Sequence, residues 1–415
     1  MPPEKRPAKG AIQAPRGTRD LYPEETARIR YIQKAWTDAA VRHGFEEIEG
    51  PTFETSDLYA VKSGEGILGE LFQAFSGKSP EEIEQVRETG RAPFALRPEF
   101  TPTLARMYAA RAKQLNKPCK WFTAGPYFRA ERPQRGRLRE FLQWNCDVIG
   151  GAADDLDVAA EGNQEIWSVC SGLISALGLG PAVSVHFSDR DLVLEAVRWA
   201  HPRFTEDGGK DGPRLTHSQV LQFFELLDRR QKISKEEFEA GCSALRISLS
   251  SVDEAFASVK SAFERHGDHA EVVKRKVGWD ADEQPRNHHV KGPLVRAVDM
   301  MRALSSRSDP HMEFDPNIVR GLAYYTGMVF EAIADGERAV AGGGRYDNLI
   351  ELMGGPPTPA VGFARGDVVL GLLLEDKNLM PEGAELLDAI SAPGASRRPE
   401  VFAISADDVA TDAMT

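Results

Sequence analysis

The chain has 415 residues, of which 41% are hydrophobic and 27% are charged, and its formal net charge is −12. This length and composition are typical of a globular protein with two or three domains. The acidic balance argues against general nucleic-acid binding, because like charges repel the phosphate backbone.

Neither a membrane location nor a cysteine-based site is indicated. No apolar run approaches the roughly 20 residues needed to span a bilayer, and the N-terminus lacks the apolar centre of a signal peptide. The four cysteines are widely spaced, without a CxxC pair, which argues against a zinc site or a disulfide framework. We therefore expect a cytoplasmic protein with no membrane partner.

The first predicted helix spans residues 24–43. Pro23 suits the first helical turn because its missing N–H would have no intrahelical partner. Apolar residues recur at helical spacing over residues 29–40, and Gly44 is expected to end the helix. Residues 45–48 then read as a strand.

The next feature is a loop crowded with charge at residues 128–141. It holds five arginines and two glutamates between strand-like runs at residues 120–127 and 141–149. The planar guanidinium binds phosphate and carboxylate oxygens in a bidentate manner, so this density points to a polyanion such as a nucleotide. A charged hairpin is also typical of a solvated surface.

The remaining elements predict an antiparallel sheet with helices. Residues 91–150 carry short strands joined by charged turns, and residues 154–177 and 188–201 have helical character. Residues 201–303 are rich in Lys, Glu, Ser and Asp, and we interpret them as a mostly helical insertion. Further strands are predicted at Met312–Phe314, Met328–Ile333, Ala339–Ala341 and Ala360–Ala364, followed by a helix at Asp367–Leu374.

Three further segments carry candidate site residues. Residues 96–102 (LRPEFTP) place the Glu99 carboxylate and the Thr101 hydroxyl at a strand end, where a substrate ammonium group could pair with the carboxylate. A chance surface glutamate would look the same in isolation.

In the second segment, residues 318–331, Arg320 lies among glycines and two adjacent tyrosines. Neighbouring residues of a strand point to opposite faces, so we expect only one of Tyr324 and Tyr325 to line a pocket. Packed tyrosines beside a surface arginine are the alternative.

The third segment, residues 341–347, is predicted to be a glycine-rich turn into a helix. It matches neither a GxxxxGK[ST] loop nor a GxGxxG fingerprint. Alone it is no more than a flexible turn.

Together these segments resemble the histidyl branch of the class II aminoacyl-tRNA synthetases. RPEFTP, FRAERPQRGRLREFLQ, RGLAYYTG and GGGRYD occur in that family's order and approximate spacing, within residues 14–385. The resemblance implies an α+β fold, with an antiparallel sheet of six or seven strands flanked by helices, and a homodimer.

The resemblance also implies a division of the chain. We expect a disordered tail at 1–13, a catalytic domain at 14–200 and 304–385, the insertion at 201–303, and at 386–415 a linker with the truncated start of an anticodon-binding domain. A chain ending there should bind tRNA weakly.

The implied reaction joins histidine to ATP, with Mg²⁺ on the phosphates, and then transfers the histidyl group to tRNA(His). Arg129 and Arg320 would be the catalytic pair on the α-phosphate, with Arg320 also at the histidine. The other implied roles are as follows: Glu99 and Thr101 hold the α-amino end, Gln143 and Asp147 line the amino-acid site, Tyr325 and Tyr346 recognise the imidazole, Glu131 faces the adenine, and Arg137 reaches the terminal phosphates.

Some positions depart from the family's pattern. Val369 stands where a third ATP-binding arginine is common, and Arg365, four residues earlier, could replace that arginine only if it reaches the same place. Asp147 and Ala323 stand where many members carry Glu and Asp.

Two alternative functions remain. The regulatory subunit of ATP phosphoribosyltransferase shares the fold and senses histidine without catalysing adenylation, and Val369 and the short C-terminus favour it. The retained arginine set opposes it. A non-catalytic RNA-binding module is disfavoured by the acidic balance and the absence of a basic stripe.

Overall fold

The computed structural model describes residues 12–63, 69, 71–150, 156–194, 217–230, 233–250, 252–254, 256–257, 260, 311–320, 324–334 and 339–396. The tail at 1–11, most of the expected insertion and residues 397–415 lie outside this set. The predictions made for those parts, including the missing C-terminal domain, stay predictions.

The strands form two sheets. Their bounds are β1 Glu46–Glu47, β2 Phe53–Thr55, β3 Gln73–Ala74, β4 Phe94–Leu96, β5 Cys119–Phe128, β6 Glu140–Ile149, β7 Val183–Asp189, β8 His311–Phe314, β9 Met328–Ala334, β10 Ala339–Arg345 and β11 Ala360–Gly366. The larger sheet has eight strands in the order β1-β5-β6-β11-β10-β9-β7-β8, and the smaller has the order β2-β4-β3.

Some of the helices pack on the larger sheet, and others lie apart from it. Their bounds are α1 Pro23–Arg42, α2 Ser56–Ser63, α3 Pro80–Thr89, α4 Thr101–Arg111, α5 Leu156–Ala176, α6 His217–Asp228, α7 Lys235–Ala244, α8 Leu349–Leu352, α9 Asp367–Asp376 and α10 Gly383–Ser391. The first helix, the long strand pair β5–β6 and the helix after β11 confirm the elements predicted there.

The α+β class is confirmed, but the expected sheet of six or seven antiparallel strands is wrong in detail. The described sheet has eight strands and is mixed, because β1 pairs with β5 and β7 pairs with β8 in parallel. Strand β7 was not predicted, although its residues Val183, Val185 and Phe187 alternate into the core. Edge strands of two and four residues carry too little pattern to reveal their pairing direction.

The glycine run is also different from its prediction. Gly342, Gly343 and Gly344 lie within β10 and not in a turn, and a short helix, α8, begins at Leu349. A Cβ at Gly343 would lie 2.6 Å from Phe363 Cβ on β11, and one at Gly344 would lie 2.7 Å from the Met328 carbonyl. The glycines therefore allow close approach within the sheet, a requirement that leaves no signature different from that of a turn.

Two domain predictions meet described residues. Residues 386–391, expected to belong to a linker, are helical in α10, which packs on α1. Within the expected insertion, α6 and α7 are helices, and Phe223, Phe224 and Phe238 are buried between them. The helical character of the insertion is thus seen in its described portions.

The two faces of β6 and β11 divide their side chains into an apolar set and a polar set. Trp144, Cys146 and Val148 point into the main apolar core with α1, α5 and α9, and Val361 and Phe363 of β11 do the same. The side chains between them point to the opposite face, because successive residues of a strand alternate. That opposite face carries the polar residues described below.

Arg365 lies on the core side of this division. It pairs in register with Trp144 and interacts with Cys170 of α5, and it is 1% exposed. None of its three guanidinium nitrogens has a hydrogen-bond acceptor among the described residues. Burial lowers the pKa of Arg365 to about 10, with Cys170 opposing. A desolvated cation without a protein counter-ion is costly.

We therefore expect Arg365→Met to stabilise the protein. Methionine fills a similar apolar path without a charge, and apolar replacement of buried ionic groups has stabilised other proteins by about 1–4 kcal/mol. Chemical denaturation should show a higher midpoint than the native chain, whereas Arg87→Met on the exposed face of α3 should leave the midpoint unchanged. A lower midpoint for Arg365→Met would contradict this account.

Candidate active site

The polar face of β6 forms the floor of a cavity. Gln143, Asn145 and Asp147 alternate with the core residues of the strand and are all buried. Gln143 Nε2 donates to Asn145 Oδ1 at 2.8 Å, and Asn145 Nδ2 donates to the Tyr127 hydroxyl at 3.2 Å. This chain of hydrogen bonds fixes the orientation of Gln143.

Asp147 sits deeper, behind Tyr346. The Tyr346 hydroxyl donates to Asp147 Oδ1 at 2.5 Å, and Gly362 lies opposite Asp147 in the sheet. A Cβ at Gly362 would collide with the carboxylate, so glycine is required there. Burial raises the pKa of Asp147 to about 7, although the Tyr346 hydrogen bond opposes the rise.

The entry to α4 supplies the next wall. Glu99 precedes the helix and accepts a hydrogen bond of 2.9 Å from the Tyr324 hydroxyl, while Thr101 is the first residue of α4. The ring centroids of Tyr324 and Tyr325 are 4.8 Å apart, and both rings line the cavity. The expectation that only one would do so is wrong, because these residues lie in a turn before β9 and do not alternate as in a strand.

Arg129 enters from the arginine-rich loop. Its guanidinium stacks over the Phe141 ring, with 5.1 Å from Cζ to the centroid, and its Nε donates to the Pro98 carbonyl at 3.2 Å. Burial lowers the pKa of Arg129; Glu99 and Glu131 oppose this shift, and two nearby arginines add to it. Those arginines are Arg137 and Arg320.

Arg320 lines the same cavity as Arg129 and interacts with it electrostatically. Its backbone adopts φ +53, which is uncommon for a residue other than glycine, and its guanidinium pairs with Glu331 of β9. A Cβ at Gly342 would lie 2.5 Å from Arg320 Nη1. Burial lowers the pKa of Arg320, but Glu331 together with Tyr325 and Tyr324 outweighs this effect, and the net pKa is raised. The site therefore holds Arg320 as a permanent cation.

The arginine-rich loop is folded on itself. Gln134 and Arg137 exchange backbone hydrogen bonds of 3.0 and 2.9 Å around Gly136, and Arg137 pairs with Glu131. At its tip, Arg135 Nη2 lies 3.1 Å from Asp376 at the end of α9. The loop thus contains a backbone-bonded turn and an internal ion pair, and it contacts the end of α9.

The predicted site residues converge, with three exceptions. A cavity of about 50 Å³ contains most of them. Those on its wall are Glu99, Thr101, Arg129, Gln143, Arg320, Tyr325 and Tyr346. Asp147 lies one side chain behind the wall, and Glu131 and Arg137 lie along the loop outside it.

Sequence reasoning missed three participants. Tyr324 and Asn145 line the cavity, and Glu331 holds Arg320. Asn145 could have been found from its period-2 position between Gln143 and Asp147. Nothing in the local sequence connects Glu331 with Arg320.

The structure shows where the side chains of Val369 and Arg365 lie relative to the cavity. Val369 is buried in the main core, and Arg365 points to the same core, away from the cavity. Arg365 therefore does not replace the missing arginine. At the start of α9 the buried carboxylate of Asp367 instead receives Arg19 Nη2 at 2.6 Å and the Leu142 N–H at 2.8 Å.

A larger cavity of about 190 Å³ lies elsewhere, between α1, α5 and α10. Its polar side chains include Lys34, Asp38 and His43, and Lys34 is already 2.6 Å from Asp38. The smaller cavity is the candidate site because two arginines, a carboxylate and hydrogen-bonded amides converge there.

The described residues contain no group of three or more His, Cys, Asp or Glu side chains arranged to hold a metal ion. Among the helices in the described part of the chain, none is long and apolar enough to cross a membrane.

A family model for histidyl-tRNA synthetase matches residues 17–203 and 218–366. The chain belongs to the histidyl-tRNA synthetase family. The histidine–tRNA ligase of Opitutus terrae is 35% identical over 394 residues, which are 93% of this chain and 80% of that protein. The histidine–tRNA ligase of Thermoplasma volcanium is 31% identical over 396 residues, covering 95% and 82% of the two chains.

Solved structures share the fold of this histidyl-tRNA synthetase family member. The histidyl-tRNA synthetase of Nostoc sp. PCC 7120 superposes with a TM-score of 0.66 at 19% identity, over 89% of this chain and 77% of that one. A structure from Bacillus halodurans C, described as an ATP phosphoribosyltransferase regulatory subunit/histidyl-tRNA synthetase, gives 0.64 at 19% identity, over 91% and 85%.

The raised pKa of Asp147 makes a prediction about stability. Between pH about 4 and 7 the folded protein keeps a proton on Asp147 that the unfolded chain has lost, so this group's contribution to stability falls as pH rises. Asp147→Asn keeps the acceptor for Tyr346 but has no proton to lose.

We therefore compare the free energy of unfolding of Asp147→Asn with that of the native chain. The difference, variant minus native, should increase between pH about 4 and 7. The expected slope is about 1 kcal/mol per pH unit, levelling off above pH about 7. Denaturant titrations at several pH values measure it, and a flat difference would mean that Asp147 ionises normally.

Proposed function

We propose that this protein is a histidine–tRNA ligase, which joins histidine to ATP to give histidyl-adenylate and pyrophosphate and then transfers the histidyl group to tRNA(His). Family membership supports the proposal. The observation that carries it is that Arg129 and Arg320 line one cavity together with Glu99, Gln143 and Tyr346.

The uncharged polar side chains and the carboxylate of the cavity suit histidine. Glu99 and Thr101 are placed to receive an ammonium group, because a carboxylate and a hydroxyl oxygen converge there. Gln143, Tyr325 and Tyr346, with Asp147 behind, offer partners to both ring nitrogens of an imidazole. A site whose polar groups must be satisfied rejects apolar analogues strongly.

The two arginines of the cavity suit the phosphates of ATP. Attack of the histidine carboxylate on the α-phosphate brings two anions together and places further charge on the equatorial oxygens. Arg129 and Arg320 lower the energy of that arrangement by positioning and electrostatic attraction. We assign the adenine to Glu131 and the terminal phosphates to Arg137, on the strength of the family resemblance.

Mg²⁺ is expected to arrive with ATP. Sites of this kind usually hold Mg²⁺ through phosphate oxygens and one or two carboxylates. The candidate carboxylates already have partners: Glu99 has Tyr324, Glu131 has Arg137 and Glu331 has Arg320. The described side chains thus provide no dedicated magnesium cage, and we assign the ion to the nucleotide.

A homodimer in the cytoplasm is part of the proposal through the resemblance. The second candidate function is a histidine-sensing regulatory subunit without adenylation. Val369, buried where the family commonly has an arginine, favours it. The fold shared with the Bacillus halodurans protein is compatible with both candidates.

Histidine-dependent ATP–pyrophosphate exchange tests the proposal. We expect the purified chain to catalyse exchange and Arg320→Ala to reduce its kcat by on the order of 100-fold or more, because a preorganised charge is lost from the transition state. Circular dichroism should show an unchanged fold. Arg87→Ala on α3 removes the same charge from an exposed helix and should keep full activity.

Other outcomes separate the candidates. A chain that binds histidine in calorimetry but never exchanges pyrophosphate would be the regulatory subunit. A chain that neither binds histidine nor exchanges pyrophosphate would contradict both assignments. Near-normal exchange by Arg320→Ala would remove Arg320 from the catalytic role, and aminoacylation of tRNA(His) tests the transfer step separately.

A further inference from the structure

Arg320 stands at the end of a turn that is anchored to the sheet. The Asp315 N–H donates to the Phe187 carbonyl of β7 at 2.9 Å, and the Ile318 N–H donates to the Asp315 carbonyl at 3.0 Å. The Asn317 N–H donates to Asp315 Oδ1 at 2.9 Å. These bonds fix the start of the turn at residues 315–320, but its last two residues have no such backbone anchor among those described.

The helices of the insertion bury the end of this turn. Val319, next to Arg320 in the chain, is 1% exposed and belongs to the apolar core built by α6 and α7. The other members of this core are Val193, Phe223, Phe224, Leu227, Phe238, Cys242, Leu245, Ile247, Val252 and Phe256. The position of the Val319 backbone therefore depends on how the insertion packs.

A polar contact joins the same two parts. Arg230 follows α6, and its Nη1 donates to Asn317 Oδ1 at 2.9 Å. The guanidinium also pairs with Asp253 and lies over the Phe238 ring, 4.9 Å from Cζ to the centroid. Arg230 is thus fixed within the insertion on one side and holds the turn on the other.

A second contact involves Gly327, which follows the two tyrosines of the cavity. The Arg190 guanidinium lies over the Phe224 ring of α6 at 4.0 Å, and the Arg190 N–H donates to the Gly327 carbonyl at 2.8 Å. Gly327 follows Tyr325, which lines the cavity. The insertion therefore contacts the chain directly before Arg320 and, through Arg190, is linked to Gly327 after Tyr325.

The backbone of Arg320 needs such support. A residue other than glycine at φ +53 is strained and persists only when its surroundings determine it. Glu331 orients the guanidinium, but this pair does not fix the backbone from which the side chain extends. In an active site, a displacement of about 1 Å can reduce the rate by about 100-fold.

We propose that the insertion positions Arg320 for adenylation, and that Arg230 is the positioning residue that acts through Asn317. This inference rests on the proposed function and deepens it. The insertion thereby becomes part of the machinery for the first half-reaction, because the core around Val319 and the Arg230–Asn317 hydrogen bond set the place of the catalytic cation.

A double-mutant cycle tests the inference in the full-length chain. Arg230→Ala and Asn317→Ala should each lower kcat for pyrophosphate exchange by about 10-fold and leave KM for histidine unchanged. The double variant should lose clearly less than about 100-fold, because the two substitutions share the Arg230–Asn317 contact. Arg230→Ala also removes the pair with Asp253, and Asn317→Ala also removes the hydrogen bond from Asn317 Nδ2 to Asp315 Oδ1, so the part of the loss that does not add reports the shared contact.

The adjacent residue provides the matched control. Arg229 is exposed at the same helix end, and Arg229→Ala removes an equal charge from the insertion. We expect its kcat to equal that of the native chain. Affinity for a non-hydrolysable histidyl-adenylate analogue, measured by calorimetry, should fall in the Arg230 and Asn317 variants alone.

The contrary results are distinct. Additive losses in the double variant, or an Arg230→Ala rate equal to that of Arg229→Ala, would overturn the positioning role while leaving the proposed function intact. A change in KM for histidine with kcat unchanged would also overturn it. A native chain that neither exchanges pyrophosphate nor binds the analogue would refute the proposed function, and this inference with it.

Discussion

The structure depends on holding two like charges close together in a partly buried cavity. Arg129 and Arg320 repel each other, and burial disfavours both charges. Three carboxylates offset this cost: Glu99 and Glu131 act on Arg129, and Glu331 pairs with Arg320. The two cations are therefore held by fixed charges of the protein, which is what electrostatic preorganisation means.

The sheet makes this arrangement possible because successive residues of one strand place polar side chains on one face and apolar side chains on the other. On β6 the same strand that packs Trp144 and Cys146 against α5 presents Gln143 and Asp147 to the cavity. Glycines at 342 and 362 leave room for the Arg320 guanidinium and the Asp147 carboxylate. Arg365 is the exception to the division, since it places a cation on the apolar side, where among the described residues no acceptor meets it.

Arg365 does not compensate for the absence of an arginine at position 369, because its side chain lies in the main core. Val369 contributes to the core under α9, and the first turn of α9 is instead tied to the N-terminal segment through Arg19 and Asp367. Gly17 in that segment accepts hydrogen bonds from the Arg139 and Glu140 backbone amides at 2.7 and 3.3 Å. The N-terminal segment thus links α9 to the arginine-rich loop.

Local patterns in the sequence determined the main elements, and the family resemblance supplied the identity of most cavity residues. Helical spacing gave α1, apolar strand-like runs gave β5 and β6, and the motif residues Glu99, Arg129 and Tyr346 do meet in one site. Tertiary structure decided what depends on partners distant in the chain. The pairing of Arg320 with Glu331, the parallel edge strands and the strand conformation of the glycine run have no local signature. The direction of Arg365 followed from the face of β11 that packs on α5, and the burial of Val319 from the insertion that closes over it. Such features depend on which surfaces of the fold come into contact. A local stretch of sequence shows which residues form a surface, but it does not show which distant surface packs against it.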